Sequence, residues 1–352
     1  MGYQTTCLVK EVKRRRPFKI ERLPAIVRIY RFPFQKWRTH GKQALFGVFN
    51  IALFMAYQKL VPIKPKGVFL LEVDGACKPV VFDGRNTQFE SLYLDIYADG
   101  YESEVTALID LLLGTDGVFY DVGANWGYLS IWAASKPGFR GKVHAFEPFP
   151  STFNNLREVV EQSGLAERIR LHQVALADRE GSVGMHIPDM LHSGWATVDL
   201  DKAEGGGGVQ ARVTTLDSLE LDVPTVIKID AERAEANVLR GGSSLIATHH
   251  PFIVFESFRN ASEAAATLEP FHILREMGYQ FFRPAWLRGL PGNPHFVSSD
   301  TPIKAPEIDH LALVPLNIEE RFLCPDLLNV FACHNAEVPR LRTYFGRQDV
   351  SS

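Results

Sequence analysis

Several signatures that would place this chain in a class at once are missing. Its 352 residues hold four cysteines, Cys7, Cys77, Cys324 and Cys333, with no C-x-x-C pair and no short loop between any two. That spacing argues against a disulfide scaffold and a structural zinc site, and fits reduced thiols in a reducing compartment. No apolar run reaches the roughly 20 residues of a membrane span. The conspicuous run, ALFGVFNIALFMAY from Ala44 to Tyr57, has 14 residues and is interrupted by Asn50. As a helix it would extend about 21 Å against a hydrocarbon core of about 30 Å. A helix packed on the domain or lying in a membrane interface is therefore expected. No secretory leader is expected, because the apolar run comes too late and no small-residue cleavage site follows the start. Internal repeats and long biased tracts are also missing.

Composition is that of a globular protein, with 46% hydrophobic and 22% charged residues. The net charge of −3 conceals an asymmetry. Residues 1–42 carry twelve Lys/Arg against Glu11 and Glu21, so that segment is +10 and the remainder −13. Such a basic arm suits anionic lipid, nucleic acid or an acidic partner, or is a solvated tail. The expected division is a basic and apolar N-terminal extension over 1–66, a main domain over 67–340 and a C-terminal tail over 341–352. PIKPKG, Pro62 to Gly67, reads as the linker.

Beyond the linker come strand-like runs, GVFLLEV and KPVVFDG, and then alternating strand and helix patterns. GVFYDVGANWGYLSIWAAS is a strand, a glycine turn and a helix, and GKVHAFEPFPSTFNNLREVVEQSG repeats the unit. IRLHQVALAD reads as a third strand, TVIKIDAERAEANVLRGG as a fourth strand and helix, and PFIVFES as a fifth strand. A helix near Ala261 to Met277 and strands at YQFFRP and LLNVFACH follow. The order predicts an α/β fold with a mainly parallel, doubly wound sheet. The glycine-rich AEGGGG, Ala203 to Gly208, is expected at a surface turn inside a hairpin-like stretch from Ser182 to Val213.

In open α/β sheets ligands bind beyond the carboxyl ends of the strands. The five inferred strands end at or near Asp121, Glu147, Asp178, Asp230 and Glu256, which predicts a negatively charged rim. After Asp121, Gly123, Asn125 and Gly127 lead through the turn into a helix, and Gly and Asn are the residues that best tolerate positive φ. Glu147 lies 20 residues beyond Gly127, where a carboxylate can accept the hydroxyls of an adenosine ribose. The G-x-G-x-x-G phosphate cradle is missing, and Asp121 would repel a pyrophosphate. A cationic cofactor fits better than a nicotinamide dinucleotide.

FYDVGANWGYLS, VHAFEPFP, VALADREGSV, TTLDSL, VIKIDAERAEANVLRGG and PFIVFE, in this order, resemble the FkbM family of S-adenosylmethionine-dependent methyltransferases. YADGYESEVTALIDLL is similar to its lead-in helix, so the resemblance covers about residues 68–335. It implies a Rossmann-like class I methyltransferase with a mainly parallel seven-stranded doubly wound sheet, usually acting on hydroxyls of sugars, glycans or natural products. Carried over by position, Asp121, Gly123, Asn125 and Gly127 would line the methionine part of S-adenosylmethionine, Glu147 the ribose, and Ala177 and Asp178 the adenine. Glu102 and Glu104 match acidic positions of the lead-in helix and face either the cofactor or solvent. The departure is Arg233, which stands where the family's K-I-D-x-E-G-x-E motif has glycine. An arginine there reshapes the turn, fills part of the pocket, pairs with a nearby acid or contacts an anionic substrate, and it leaves open a catalytically impaired binding module held on a membrane or polymer.

Transfer to a hydroxyl requires a base. Asp230 is the first candidate, with Glu232, Glu235, Glu256 and His192 behind it. Glu232 and Glu235 equally suit a helix N-terminus. Lys228 is placed to bridge neighbouring acids. No spaced ligand motif points to a metal, and the absence of an N-P-P-Y-like motif after the fourth strand disfavours nucleic acid as the acceptor. A cytoplasmic location, with peripheral membrane contact through the basic arm, is the expectation.

Overall fold

The structure, a computed structural model, describes residues 7–28, 52–53, 56–57, 65–84, 86–94, 97, 100–186, 197–198, 209–289, 295–298 and 306–346. Ten strands form the main sheet: β1 (Leu8–Lys13), β2 (Val118–Val122), β3 (Lys142–Phe146), β4 (Ile169–His172), β5 (Val226–Ile229), β6 (Phe252–Phe258), β7 (Tyr279–Arg288), β8 (His295–Val297), β9 (Ile308–Pro315) and β10 (Leu327–His334). Their order is β1-β9-β7-β10-β6-β5-β2-β3-β4, with β8 paired to β7. The fold is doubly wound, as expected, but larger than a seven-stranded sheet. Strands β4, β3, β2, β5 and β6 are parallel neighbours, whereas every pairing beyond β6 is antiparallel, so the sheet is parallel only in its site-bearing half.

Strand alternation sends side chains to two cores. Phe119, Val143, Val226 and Val254 face one side, where α1 (Ser103–Leu112), α2 (Tyr128–Ala134) and α3 (Pro150–Ser163) pack through Leu108, Ile131 and Leu156. Tyr120, Ile227, Ile229 and Phe255 face the other, against α4 (Glu235–Gly241), α5 (Ser243–His249) and α6 (Ala264–Glu276) through Leu239, Ile246 and Phe271. Local signals set the boundaries of α3, with Pro150 in its first turn and Gly164 at φ 70° ending it.

Two sequence expectations change. The third strand is not continuous: β4 stops at His172, and Ala175–Leu176 crosses to a separate four-stranded sheet, pairing in parallel with Val209–Thr214. Val209–Thr214 is also antiparallel to Gly181–His186, the hairpin-like pairing expected of this stretch. The division at residue 66 is also not structural. β1 is the edge strand of the main sheet, and Phe18–Arg22 pairs with Lys66–Val73, which pairs with Ala76–Asp83, in a three-stranded sheet. Phe18 from the supposed extension lies 4.8 Å from Tyr128 at the start of α2. Likewise α7 (Val338–Phe345) crosses the expected boundary at 340 and buries Leu341 and Phe345.

Part of the basic segment is consumed by this packing. Arg15 pairs with Asp110 at 3.0 Å and lies 4.6 Å above the Trp132 ring. Arg14 lies 4.6 Å above Trp286 and 3.5 Å from Asp309, which is 1% exposed and also accepts from Arg288 Nη2 at 2.7 Å. A buried carboxylate between two guanidiniums, that of Arg14 buried and that of Arg288 partly so, anchors β1 to β9 and β7. Of the Ala44–Tyr57 run only residues 52–53 and 56–57 are described, in helical conformation. Among the described residues no helix is long and apolar enough to cross a membrane.

Removing one partner of a buried ion pair leaves uncompensated charge and costs about 3–5 kcal/mol. Asp309→Ala should lower the free energy of denaturant unfolding by that order. A loss below about 1 kcal/mol would show that β1 is not anchored through Asp309.

Candidate active site

The parallel half of the sheet places a row of polar side chains on the α1 side of its C-terminal edge. Because β2 shows Phe119 to that side, it shows Asp121 there too; in the same register β5 presents Lys228 and Asp230, β6 presents Glu256, and β10 presents Asn329 opposite Glu256. From above, the start of α1 brings Glu102, whose own backbone is left-handed at φ 45°. All of these polar side chains except the wholly buried Lys228 line a cavity of about 1220 Å³, closed on the β3 side by Glu147, Val174, Ala175 and Leu176.

The turn after β2 has the conformation its glycines suggested. Gly123, Asn125 and Gly127 have φ of 82°, 52° and 96°. A Cβ on Gly123 would meet the Asp230 carbonyl oxygen at 1.8 Å, so only glycine lets the β2 and β5 ends close on each other. Asp121 is 3% exposed and accepts from Ser130 Oγ at 2.5 Å, and burial pushes its carboxyl up to about 6. Glu147 accepts the backbone N–H of Asn125 at 3.0 Å on one oxygen and of Phe149 at 2.9 Å on the other. Burial raises it to about 7 in spite of those bonds.

Lys228 is the centre of the row. It is wholly buried, its ammonium 3.4 Å from Asp230 Oδ2 and 3.9 Å from Glu102 Oε2. Burial opposes its charge, but Asp230, Glu102, Glu256 and Asp121 more than offset that, so it stays an ammonium. Glu102, Asp230 and Glu256 each bring a carboxylate oxygen within 4.8 Å of the others. Burial, then the charge of Asp230, drives Glu256 up to about 10, and burial raises Glu102 as well.

Other expectations resolve individually. Glu102 and Glu104 are 7% and 3% exposed and line the cavity, which overturns the solvent-facing reading of that helix start. Glu235 is a scaffold residue: its Oε1 accepts the N–H groups of Ala231 and Arg233 at 3.0 and 3.2 Å, bracing two successive left-handed residues, Glu232 at φ 48° and Arg233 at φ 78°. Glu232 lines the cavity, and burial with the charge of Asp230 raises it to about 8. Arg233 therefore adopts the glycine-like backbone of the position and directs its side chain to the rim. Its guanidinium lies 4.8 Å over Phe258 and 3.9 Å from Glu263, and it does not pair with Glu232, Glu235 or Glu256.

Ala177 and Asp178 are not brought to the cavity. The strand break at Gln173 redirects the chain, Ala177 is buried in a small core with Val183 and Val213, and Asp178 is exposed. The apolar side chains of Val174, Ala175 and Leu176 take that part of the wall instead. His192 lies outside the described residues. Tyr97, Tyr101, Phe258 and Asn329 were not singled out from sequence, although all four line the cavity. Strand register alone would have found Asn329, opposite Glu256.

Residues 121–281 match the model of the methyltransferase FkbM domain. Glu102 and Asn329 reach the cavity from outside the matched stretch. Among solved structures the chain is similar to methyltransferase FkbM from Methylobacillus flagellatus KT, with 20% identity, TM-score 0.36, and 56% of this chain and 44% of that one covered. It thus spans less than half the length of that protein. It is also similar to an S-adenosylmethionine-dependent O-methyltransferase from Thermotoga maritima (10% identity, TM-score 0.34, 70% and 78% covered) and to precorrin-6y C5,15-methyltransferase from Geobacter metallireducens GS-15 (17%, 0.33, 60% and 89%). No curated protein matches the chain.

The carboxyls of the cavity couple stability to pH. In the unfolded chain glutamates lose their protons near 4.5, whereas folding holds those of Glu147, Glu232 and Glu256 to about 7, 8 and 10. Between pH 7 and 10 the folded state therefore binds more protons than the unfolded state. Stability falls as pH rises, by about 1.4 kcal/mol per pH unit for each excess proton. The ligand-free protein should unfold at lower denaturant at pH 9 than at pH 7, and Glu256→Gln should flatten that decline. Parallel pH profiles for the two proteins would remove Glu256 from this role.

Proposed function

We propose that the protein is an S-adenosylmethionine-dependent O-methyltransferase acting on a hydroxyl of a carbohydrate, glycan or related natural product. The observation that carries the reading is a cavity at the carboxyl edge of the parallel strands whose charged lining is almost wholly acidic, with Arg233 at the rim as its one cationic lining residue among the described residues. Such a wall favours a cation and repels the pyrophosphate of a dinucleotide.

The residues present fit this cofactor. Gly123 allows the close approach of β2 and β5 that no side chain would permit. Each Glu147 oxygen accepts one backbone N–H, and a carboxylate has about four acceptor positions, so capacity for two ribose hydroxyls remains. Val174, Ala175 and Leu176 offer an apolar surface beside Glu147 for the adenine, in place of the expected Ala177 and Asp178. Asp121 and the acids around Lys228 would lie toward the methionine and sulfonium end. When bound, S-adenosylmethionine supplies an electrophilic methyl group whose bonding pair departs with sulfur.

The chain's own task is to hold an acceptor hydroxyl in line and remove its proton. Asp230 is the base in this reading: it lies at the edge of the cavity beside the Gly123 turn, and its contact with Lys228 keeps the carboxylate oriented. As the acceptor oxygen forms its bond to the methyl carbon, its proton passes to Asp230. Glu256, protonated at neutral pH, is suited to donate a hydrogen bond rather than to accept a proton. Tyr97, Tyr101 and Phe258 supply aromatic surface for a sugar ring.

An impaired binding module loses its main support, because Arg233 turns to the rim instead of filling the interior. Peripheral membrane contact through the basic segment stays a proposal, carried now by cations other than Arg14 and Arg15.

Transfer of labelled methyl from S-adenosylmethionine to fractionated glycan and metabolite extracts will identify the acceptor. With that acceptor, Asp230→Asn should retain cofactor affinity within about threefold and lose at least about 100-fold in turnover. Unimpaired turnover would exclude Asp230 as the base, and failure of the wild-type protein to bind S-adenosylmethionine would exclude the reading itself.

A further inference from the structure

A lysine in the middle of a parallel strand, wholly buried between Val226 and Asp230 on the same face, is costly unless its charge is used. Lys228 meets carboxyls from four elements: Asp121 beside it on β2, Asp230 two residues ahead on β5, Glu256 on β6 and Glu102 from the start of α1. Three of these, Glu102, Asp230 and Glu256, converge their oxygens within 4.8 Å, the disposition of a site for a hard divalent cation with oxygen ligands. The Lys228 ammonium already lies 3.4 and 3.9 Å from two of the three.

We infer that Lys228 is a built-in cation: a positioning residue that takes the place of a divalent metal among Glu102, Asp230 and Glu256, and so orients Asp230 toward the acceptor without a metal cofactor. The inference deepens the methyl-transfer reading and rests on it for the role of Asp230, but the occupancy of the carboxylate triad is independent of it.

Three physical points carry it. An ammonium has three N–H donors and no acceptor, so among carboxylates it can only be a hub. It is tethered to a core strand, so its position does not depend on solution concentration, and it supplies one positive charge where a metal would supply two. A single charge leaves the surrounding acids under-neutralised, which preserves the negative field that favours a cationic cofactor; a dication at the same place would cancel it. The ammonium also repels a dication entering the triad.

Two measurements test this on the full-length protein. The first needs neither cofactor nor acceptor: Mn²⁺ binding, followed by electron paramagnetic resonance. Wild type should show no site that Asp230→Asn abolishes, whereas Lys228→Met, which keeps the stem and removes the charge, should bind one Mn²⁺ at least tenfold more tightly than wild type. A wild-type Mn²⁺ site lost in Asp230→Asn, or a Lys228→Met protein that binds no better than wild type, overturns the inference. Should Lys228→Met fail to fold alone, Lys228→Met with Asp121→Asn removes the cation together with one acid outside the triad, and the same tenfold tightening is expected.

The second is the pH dependence of turnover with the acceptor identified above. In the folded variant the acidic limb of the profile, where the essential base takes up a proton, should move to higher pH by at least one unit, because the ammonium no longer favours the carboxylate. A purely structural lysine would lower turnover without moving that limb, and an unmoved limb overturns the positioning role. Loss of S-adenosylmethionine binding by the wild type would remove the methyl-transfer reading while leaving the Mn²⁺ result standing.

Discussion

One buried ammonium organises the functional half of this molecule. Lys228 gathers acids from β2, β5, β6 and α1, elements separated by up to 154 residues of sequence between Glu102 and Glu256, on one face of the sheet. Without it, Asp121, Glu102, Asp230 and Glu256 would be buried together with no fixed counter-charge, an arrangement that is strongly unfavourable. With it, they remain under-neutralised by several charges unless some keep their protons, and the upward shifts of Asp121, Glu102 and Glu256 are the physical expression of that excess. The cavity is in this sense prepared for a further positive charge.

The surrounding structure holds that frustrated cluster in place. Gly123 lets the β2 turn rest against the Asp230 carbonyl, and Glu235 braces the left-handed pair Glu232 and Arg233 just beyond it. Two successive non-glycine residues at positive φ cost about 1–2 kcal/mol each, and strain of this kind persists where the surroundings over-determine it. On the far side of the sheet, Asp309 between Arg14 and Arg288 ties the first strand of the chain to β9 and β7, so that residues 8–22 are framework rather than arm.

How much of this was legible in the sequence depended on the range of the signal. Strand and helix order, the Gly123–Gly127 turn, and the acids Asp121, Glu147, Asp230 and Glu256 follow from local periodicity and from the rule that ligands lie beyond parallel strand ends. Lys228 was legible as a bridge because alternation put it on the Asp230 face. Three things were not. The break at Gln173, inside an apolar run that reads as one strand, moved Ala177 and Asp178 out of the site, since nothing local distinguishes a strand that continues from one that changes sheets. Glu102 and Glu104 look like any acidic helix start, and their burial is set by packing of α1 against α2, β7 and β9. The integration of β1 depends on pairing with Ile308–Pro315, some 300 residues away, which no local pattern encodes. Arg233 was correctly marked as the anomaly, and its positive φ agrees with the glycine expected there; that its side chain leaves through the rim is a property of the Phe258 and Glu263 surroundings.

The central claim is that a cluster of partly protonated carboxyls around Lys228 is completed by a cationic cofactor. It is tested most directly by calorimetric titration of S-adenosylmethionine into the ligand-free protein at pH 8, in two buffers of different ionisation enthalpy. The account predicts binding accompanied by release of protons to the buffer, as the arriving sulfonium and ammonium favour the ionised forms of Glu256, Glu232 and their neighbours. Binding without net proton release, or no binding at all, would contradict it.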